Sequence, residues 1–232
     1  MYLDIKENLE EVGEKIKNAA LAAGRKPEEV KLITVTKTID IERIKAAIGF
    51  GAYEIGENRV QEVLEKYESL KDMAEFHLIG HLQTNKVKYI ADKIKLIHSV
   101  ESVDLMKEIN KRAFAAGKVQ DILVEVNVSG EESKFGIKPE EAKEFVYKAA
   151  EFENLKVCGL MTVAPFGATE KELGGIFSNM RNLAFDIDGE KIKNAEMKEL
   201  SMGMTGDYEL AVKEGATMVR IGTGIFGKRL YK

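Results

Sequence analysis

The sequence contains one cysteine, Cys158, and no tryptophan among its 232 residues. One cysteine excludes an internal disulfide, and with it the small disulfide-stabilised secreted domains. Cys158 lies in an apolar run and is expected to be a buried small hydrophobe. No apolar run approaches the roughly 20 residues of a membrane-spanning helix, and no signal peptide is recognised. The sequence therefore predicts a cytoplasmic protein that does not contact a membrane.

Charge of one sign and histidine are also scarce. The formal net charge is −4, with 35 Lys and Arg against 39 Asp and Glu, and no basic block stands out. A nucleic-acid partner is therefore not expected. The three histidines, His77, His81 and His98, lack an acidic cluster at the spacing of metal ligands, so no metal site is predicted. No Ser/His/Asp or Cys/His motif indicates nucleophilic catalysis.

Short runs rich in Val, Ile and Leu recur along the chain from residue 31. Each run but the last precedes a stretch with helical periodicity, and strands that alternate with helices form parallel sheets. Runs without polar alternation are typical of strands buried on both faces. The eight runs are Lys31–Lys37, Ala52–Glu57, Glu75–His81, Lys95–Glu101, Asp121–Ser129, Lys156–Pro165, Glu199–Met204 and Met218–Gly227.

The helical stretches have recognisable ends. An apolar stripe at helical spacing over residues 9–20 predicts an N-terminal helix, which Gly24 is expected to end. Asp40 and Ser102 are predicted N-caps of two later helices, because their side chains accept hydrogen bonds from free backbone N–H groups. Pro139 is predicted at the first position of another helix, where its missing N–H costs nothing.

Eight strands in a chain of this length predict a closed barrel, because a (β/α)8 barrel typically has about 250 residues. An open doubly wound sheet is the alternative, but no G-x-G-x-x-G motif opens the first helix. No linker or low-complexity stretch divides the chain. The sequence therefore predicts an α/β fold: a single (β/α)8 TIM barrel with an extra N-terminal helix, forming one domain over residues 1–232.

Lys37 ends the first apolar run. Active sites of such barrels lie at the carboxyl ends of the strands, so its amine is expected at the barrel mouth. An isolated lysine of this kind is commonly a surface residue whose amine reaches to solvent. An amine with a lowered pKa can instead form an imine with an aldehyde. The pattern alone leaves both interpretations open.

The seventh and eighth runs end in turns rich in glycine and hydroxyl groups, SMGMTG over residues 201–206 and RIGTG over residues 220–224. Barrel phosphate sites commonly use these two loops, and glycine lets backbone N–H groups approach an anion closely. The alternative is that both are ordinary tight turns. An imine-forming lysine across the mouth from a phosphate site suits a phosphorylated aldehyde, and pyridoxal 5′-phosphate (PLP) is the obvious candidate.

Arg220 lies between Val219 and Ile221 in an otherwise apolar run. An unpaired charge there would be costly, so the guanidinium needs an acceptor. The pyridine nitrogen of PLP is one such acceptor, and a structural ion pair with an acid such as Glu125 is the alternative. A guanidinium keeps its proton, so it would leave that nitrogen largely unprotonated and make the ring a poorer electron sink.

Taken in order, these segments resemble the pyridoxal phosphate homeostasis proteins, the YggS/PROSC-type PLP-binding family, over the whole chain. Two departures are small: Thr205 replaces a more usual serine, and His81 stands where many members have proline, which affects only the loop after the third strand. The matching segments are 35–38 (VTKT), 56–62 (GENRVQE), 77–86 (HLIGHLQTNK), 98–100 (HSV), 126–129 (VNVS), 134–136 (KFG), 159–161 (GLM), 200–207 (LSMGMTGD) and 219–227 (VRIGTGIFG).

The resemblance implies that Lys37 carries PLP as a Schiff base and that Arg220 faces the pyridine nitrogen. It also implies that Ser201, Thr205 and the Gly222–Thr223 backbone hold the phosphate. The predicted cofactor-binding residues are Lys37, Asn58, Ser201, Gly203, Met204, Thr205, Arg220, Gly222 and Thr223. No catalytic residue is assigned.

The barrel of this family is similar to the N-terminal domain of alanine racemases, in which a further domain supplies a tyrosine base. That domain is not expected here, and Tyr231 near the end of the sequence has no evident route to the site. The resemblance therefore implies a protein of PLP homeostasis that buffers or delivers the cofactor without robust turnover. The alternatives are a weak PLP-dependent amino-acid racemase using Lys37 with a residue such as His77, or a Schiff-base aldolase.

The expected partners follow from that function. Delivery requires contact with apo PLP-dependent enzymes or release of PLP into solution, and the surface pattern does not choose between them. Without the racemase dimerisation domain, the protein is expected to be a monomer.

Overall fold

The computed structural model describes residues 2–131 and 134–228 and contains a closed barrel of eight parallel strands. The strands follow chain order around the barrel, and β1 pairs with β8 to close it. The strands are β1 Lys31–Val35, β2 Glu54–Glu57, β3 Glu75–Leu78, β4 Leu96–Val100, β5 Gln120–Glu125, β6 Leu155–Met161, β7 Ala195–Met204 and β8 Met218–Ile221. The predicted barrel is confirmed.

Helices surround the barrel and connect its strands. They are α1 Leu3–Ala22, α2 Ile41–Gly49, α3 Val60–Leu70, α4 Val103–Ala115, α5 Ala142–Ala149, α6 Glu170–Gly189, α7 Tyr208–Lys213 and α8 Thr223–Phe226. The capping predictions are confirmed: Asp40 accepts from Arg43 N–H at 3.0 Å, and Ser102 accepts from Leu105 N–H at 3.3 Å. Pro139 begins a short 3₁₀ turn that leads into α5.

Two connections differ from the expected strand–helix alternation. Between β3 and β4 the chain forms a 3₁₀ helix, Thr84–Tyr89, where an α-helix was expected. The eighth run was predicted as one strand over Met218–Gly227, but it stops at Ile221, and residues Thr223–Phe226 form α8. The first run likewise ends at Val35, so Lys37 lies in a turn. In the eighth run apolar residues continue past the strand into α8, and periodicity does not separate strand from helix in so short a run.

The extra N-terminal helix α1 packs against α7 and α8 and buries Ile5, Leu9 and Val12. Asn8 Nδ2 donates to the carbonyl of Ile225 at 2.9 Å. Arg43 of α2 donates to the next carbonyl, that of Phe226, at 2.6 Å. Two side chains from outside α8 thus satisfy carbonyls at the end of a helix that has only four residues.

The barrel interior is filled by side chains and is apolar in one part and polar in another. The apolar part is a cluster of buried residues that come from five strands, Ile33, Leu96, Leu123, Met161 and Met218. His98 and Arg220 each lie two residues beyond a cluster member on the same strand, so they share its inward face. The polar part therefore adjoins the carboxyl ends of the strands.

Over the part of the chain that the structure describes, no helix is both long and apolar enough to span a membrane. Tyr231, considered above as a distant base, lies outside the described residues.

Candidate functional site

A cavity of about 360 Å³ opens at the carboxyl ends of the strands. Its volume suits a small cofactor. It brings together seven of the predicted site residues and adds four that were not predicted, Val35, Ile79, Val163 and Gly206. The predicted residues that line it are Lys37, Asn58, Met204, Thr205, Arg220, Gly222 and Thr223. Ser201 and Gly203 are not among its lining residues.

Lys37 is half-buried in the turn that follows β1. The turn is closed by a hydrogen bond from Ile39 N–H to Thr36 O at 3.0 Å, and Thr36 N–H is bound to Gly56 O of β2 at 3.0 Å. Thr38, the next residue, has a φ of 64°, an uncommon conformation for a threonine. The lysine backbone is therefore held on both sides, and its amine enters the cavity from a defined position.

A buried ion pair lies behind this turn. Lys66 Nζ donates to Glu57 Oε1 at 2.7 Å, to Glu62 Oε2 at 3.1 Å and to the carbonyl of Thr36 at 2.8 Å. The Thr36 hydroxyl donates to Glu57 at 2.6 Å, and Thr38 N–H donates to Glu62 at 2.6 Å. Both backbone neighbours of the half-buried lysine are thus fixed by charges that come from β2 and α3.

Burial sets the charge balance of this network. It raises the pKa of the Glu57 carboxyl, and Lys66 acts against that rise. Partial burial also acts to raise the pKa of Glu62. The hydrogen bonds that this carboxyl accepts from Thr38 and Lys66 outweigh burial, so its pKa is lowered. Lys66 therefore balances two carboxyl groups, one of which is fully buried.

Asn58 follows β2 and is held in place by the next loop. A Cβ on Gly80 would lie 2.5 Å from Asn58 O, so only glycine permits this approach. The carbonyl of Gly80 accepts a hydrogen bond from the Ser99 hydroxyl at 2.6 Å. His81, where the family more often has proline, pairs with Glu101 at 2.8 Å and stacks on Phe135. The loop that follows β3 is therefore held against Asn58 at the cavity.

The turns after β7 and β8 meet at the cavity. Asp207 Oδ1 accepts from Met204 N–H at 2.5 Å and closes the first turn. The hydroxyls of Thr205 and Thr223 lie 3.2 Å apart, and Gly224 N–H donates to Thr205 at 3.4 Å. Both threonines are exposed. Two hydroxyl groups beside a glycine-rich backbone form a set of donors for an anion.

Arg220 is buried on β8, and its guanidinium is anchored by two hydrogen bonds. Nη1 donates to Ser201 Oγ at 2.6 Å, and Nη2 donates to the carbonyl of Thr162 at 2.8 Å. Burial lowers its pKa to about 10, so it remains charged at neutral pH. No ion pair within 4.0 Å joins it to Glu125 among the described residues, which disfavours the ion-pair alternative.

Ser201 and Gly203 lie beneath the cavity lining on β7. The Ser201 side chain is fully buried, and its hydroxyl is shared between Arg220 and His98 Nδ1, the latter at 2.9 Å. Gly203 has a φ of 91°, and a Cβ there would lie 2.6 Å from Ala211 Cβ of α7. Ser201 therefore contacts Arg220, and Gly203 permits close contact between β7 and α7.

Sequence reasoning missed Glu54, Lys66 and His98 as parts of the site. His98 lies in an apolar run. A polar side chain in such a run, at a strand position that faces inward, is the sequence signal that could have identified it as part of the site. Lys66 lies three residues after Val63 and four before Leu70, on the buried face of α3, so a lysine at the spacing of the apolar stripe was the available signal.

The chain is similar to known proteins over nearly its whole length. Residues 6–229 match the family described as alanine racemase, N-terminal domain. A protein of Aquifex aeolicus named pyridoxal phosphate homeostasis protein is 47% identical over 226 residues, which are 97% of this chain and 98% of the relative. A protein of the same name from Escherichia coli K12 is 37% identical, over 98% of both chains.

Solved structures agree with these relatives. PipY of Synechococcus elongatus PCC7942, solved with PLP bound, superposes with a TM-score of 0.82 at 32% identity. The match covers 96% of this chain and 100% of that one. Alanine racemase of Clostridium difficile 630 has a TM-score of 0.77 at 16% identity, and the match covers 100% of this chain and 58% of the racemase. At 16% identity, the similarity to this racemase shows a shared fold and nothing further.

We expect Lys66→Met to lower the free energy of unfolding by about 3 kcal/mol, because it leaves two carboxyl groups without their cation in a buried setting. Urea denaturation monitored by circular dichroism measures the change. The double variant Lys66→Met/Glu57→Gln is the matched control and should recover part of the loss, because it removes the buried carboxylate as well. Equal losses in the single and double variants would contradict this account of the network.

Glu125, buried at the end of β5, is expected to make stability depend on pH. Burial raises its pKa to about 7, with Glu101 adding to the rise and Arg220 opposing it, whereas an unfolded chain has a value of about 4.3. The folded state therefore keeps a proton that the unfolded state releases. Stability should fall as the pH rises from about 5 to about 8, by at most ~3 kcal/mol.

Denaturant unfolding of the protein and of Glu125→Gln at the two pH values tests this assignment. The variant should lose most of the pH-dependent difference, because its amide does not titrate. A difference of the same size in both proteins would assign the effect to other groups.

Proposed function

The chain belongs to the alanine racemase N-terminal domain family and, within it, to the pyridoxal phosphate homeostasis proteins, and from that membership we propose that it binds PLP on Lys37. PLP carries an aldehyde that forms a Schiff base with a lysine amine. The proposed role is PLP homeostasis, in which the protein buffers the cofactor or delivers it.

The observation that carries the proposal is the set of groups around one cavity. PLP has three reactive ends: an aldehyde, a phosphate and a pyridine nitrogen. The cavity is lined by an amine from Lys37, by the hydroxyls of Thr205 and Thr223, and by the guanidinium of Arg220. Each end of the cofactor thus has a group of matching chemistry, and Gly222 lets the backbone approach the phosphate.

For Ser201 we propose a role other than the one the resemblance implied. Its hydroxyl is buried and shared by Arg220 and His98, so it is suited to orient the arginine. The phosphate is assigned to Thr205, Gly222 and Thr223, which line the cavity. Met204 lines the cavity as well and is 39% exposed at its edge. Gly203 acts through its close contact with α7.

The geometry favours cofactor handling over amino-acid racemisation. Racemisation needs proton transfer on both faces of a substrate carbanion. Lys37 and Arg220 are the titratable side chains among the described lining residues. His77, considered above as a second base, is 1% exposed and is bound to His98 and Glu54. We therefore propose a cytoplasmic monomer that passes PLP to apo-enzymes directly or through solution.

We expect purified protein mixed with PLP to turn yellow and to lose that absorption band on borohydride reduction, because reduction fixes the imine at Lys37. Lys37→Ala should show neither effect, and peptide mass spectrometry should locate the reduced adduct on Lys37. Lys45→Ala, which alters an exposed lysine on α2, should behave like the unaltered protein. Colour and an adduct that persist in Lys37→Ala would refute the assignment.

Catalysis is tested by exchange of the Cα proton of L- and D-alanine in deuterated water, followed by proton NMR. We expect the PLP-loaded protein to exchange it no faster than free PLP at the same concentration, because the lining residues that the structure describes include no second base. Fast exchange that disappears in Lys37→Ala would show an enzyme.

A further inference from the structure

A continuous set of hydrogen bonds crosses the interior of the barrel and ends on Arg220. Glu54 Oε2 lies 2.7 Å from His77 Nε2, and His77 Nδ1 lies 2.9 Å from His98 Nε2. His98 Nδ1 lies 2.9 Å from Ser201 Oγ, which accepts from Arg220 Nη1 at 2.6 Å. We name these five residues the interior chain.

The interior chain joins the two ends of the barrel. Glu54 is the first residue of β2, its side chain is 25% exposed, and Lys95 lies 3.1 Å from it. Arg220 lies at the cavity. The three residues between them are almost completely buried. Their polar atoms are therefore bound to one another and, at the two ends of the interior chain, to Glu54 and Arg220.

The donor at one end fixes the direction of every hydrogen bond. A guanidinium donates and never accepts, so Ser201 Oγ accepts from Arg220 and gives its own proton to His98 Nδ1. His98 must then carry its proton on Nε2 and donate it to His77 Nδ1. His77 in turn carries its proton on Nε2 and donates it to Glu54. In this arrangement all four hydrogen bonds point from the cation to the carboxylate.

The surrounding charges support this arrangement. Burial lowers the pKa of His98 well below its usual value, and Arg220 adds to the effect. Burial opposes ionisation of Glu54, but the hydrogen bonds that its carboxylate accepts from His77 and Lys95 outweigh burial and lower its pKa to about 2. Glu125 and Asp207 act on the charge of Arg220 from a longer distance. The cation and the carboxylate therefore stay charged, and His98 stays neutral between them.

We propose that Glu54, His77, His98 and Ser201 are positioning residues that hold Arg220 as a fixed donor facing the cavity. The inference rests on the proposed function, since it assigns the ring of PLP as the group that Arg220 meets. Two guanidinium N–H groups are bound to Ser201 and Thr162, and Arg220 lines the cavity. A carboxylate at the far end of the barrel thus affects a ligand that it does not touch.

The direction of the interior chain is tested first without PLP. Long-range 1H–15N NMR of the histidine side chains should show His77 and His98 as the Nε2–H tautomer, and the signals of His98 should stay unchanged from about pH 5.5 to about pH 8.5. Ser201→Ala should shift the Nδ1 resonance of His98, because its donor is gone. Thr205→Val, at the cavity surface, should leave that resonance unchanged. A His98 that carries its proton on Nδ1, or that titrates in this range, overturns the inference.

The effect on the ligand is measured by titration with PLP, followed by absorbance. Ser201→Ala should weaken binding about tenfold, equivalent to ~1.4 kcal/mol, because Arg220 loses a partner that orients it. Glu54→Gln should weaken binding severalfold, because it keeps the acceptor and removes the charge. Glu75→Gln changes a neighbouring exposed carboxylate at the same end of the barrel and should have no effect. Unaltered affinity in both Ser201→Ala and Glu54→Gln overturns the inference.

The two experiments separate this inference from the proposed function. If the unaltered protein does not bind PLP, the proposed function fails, and the tautomers still decide the direction of the interior chain. If it binds PLP and the variants bind it equally well, the positioning role alone fails. Thermal unfolding of each variant identifies any that have lost the fold.

Discussion

A permanently charged guanidinium inside a closed barrel is the constraint from which much of the interior follows. Burying a cation is costly unless hydrogen bonds and opposite charge compensate it. Arg220 obtains its hydrogen bonds from Ser201 and Thr162, and no carboxylate among the described residues lies within ion-pair distance of it. Its compensation comes from oriented dipoles that end on Glu54, and from Glu125 and Asp207 at longer range. Polar residues occupy inward positions on several strands for this reason.

Around Lys37, which follows the strand next to β8, buried charge is compensated in another way. There the buried charge is the ion pair of Lys66 with Glu57 and Glu62, and the groups that it fixes are backbone atoms on either side of Lys37. A flexible lysine side chain is thereby given a rigid base. One side of the site orients a guanidinium through side chains, and the other places an amine through the backbone. The residues that hold Arg220 and Lys37 in this way do not line the cavity. A substitution among them therefore removes no direct contact with a ligand.

The sequence predicted the barrel because eight apolar runs alternated with helical stretches, a pattern that depends on burial alone. It predicted the strand ends less well, because Thr36 and Lys37 continue the run of β1 while their backbone has already turned. The cavity residues were found because the loops of a barrel meet at one edge. The residues that support the site were not predicted. A lysine is ordinarily solvent-exposed, even where its spacing places it on the apolar face of a helix, as it does at Lys66, and the contact of His77 with His98 depends on the register of two strands. Side-chain partners across a barrel are set by strand register and tilt, which a single sequence does not encode in any short segment.

The four-residue helix α8 links the cavity to the outside of the molecule. It begins with Thr223 at the cavity, and Asn8 of α1 and Arg43 of α2 bind its last carbonyls. A helix of one turn has little stability of its own, so its conformation depends on these outer contacts. The extra N-terminal helix and α2 therefore support one edge of the cavity from outside, through the carbonyls at the end of α8.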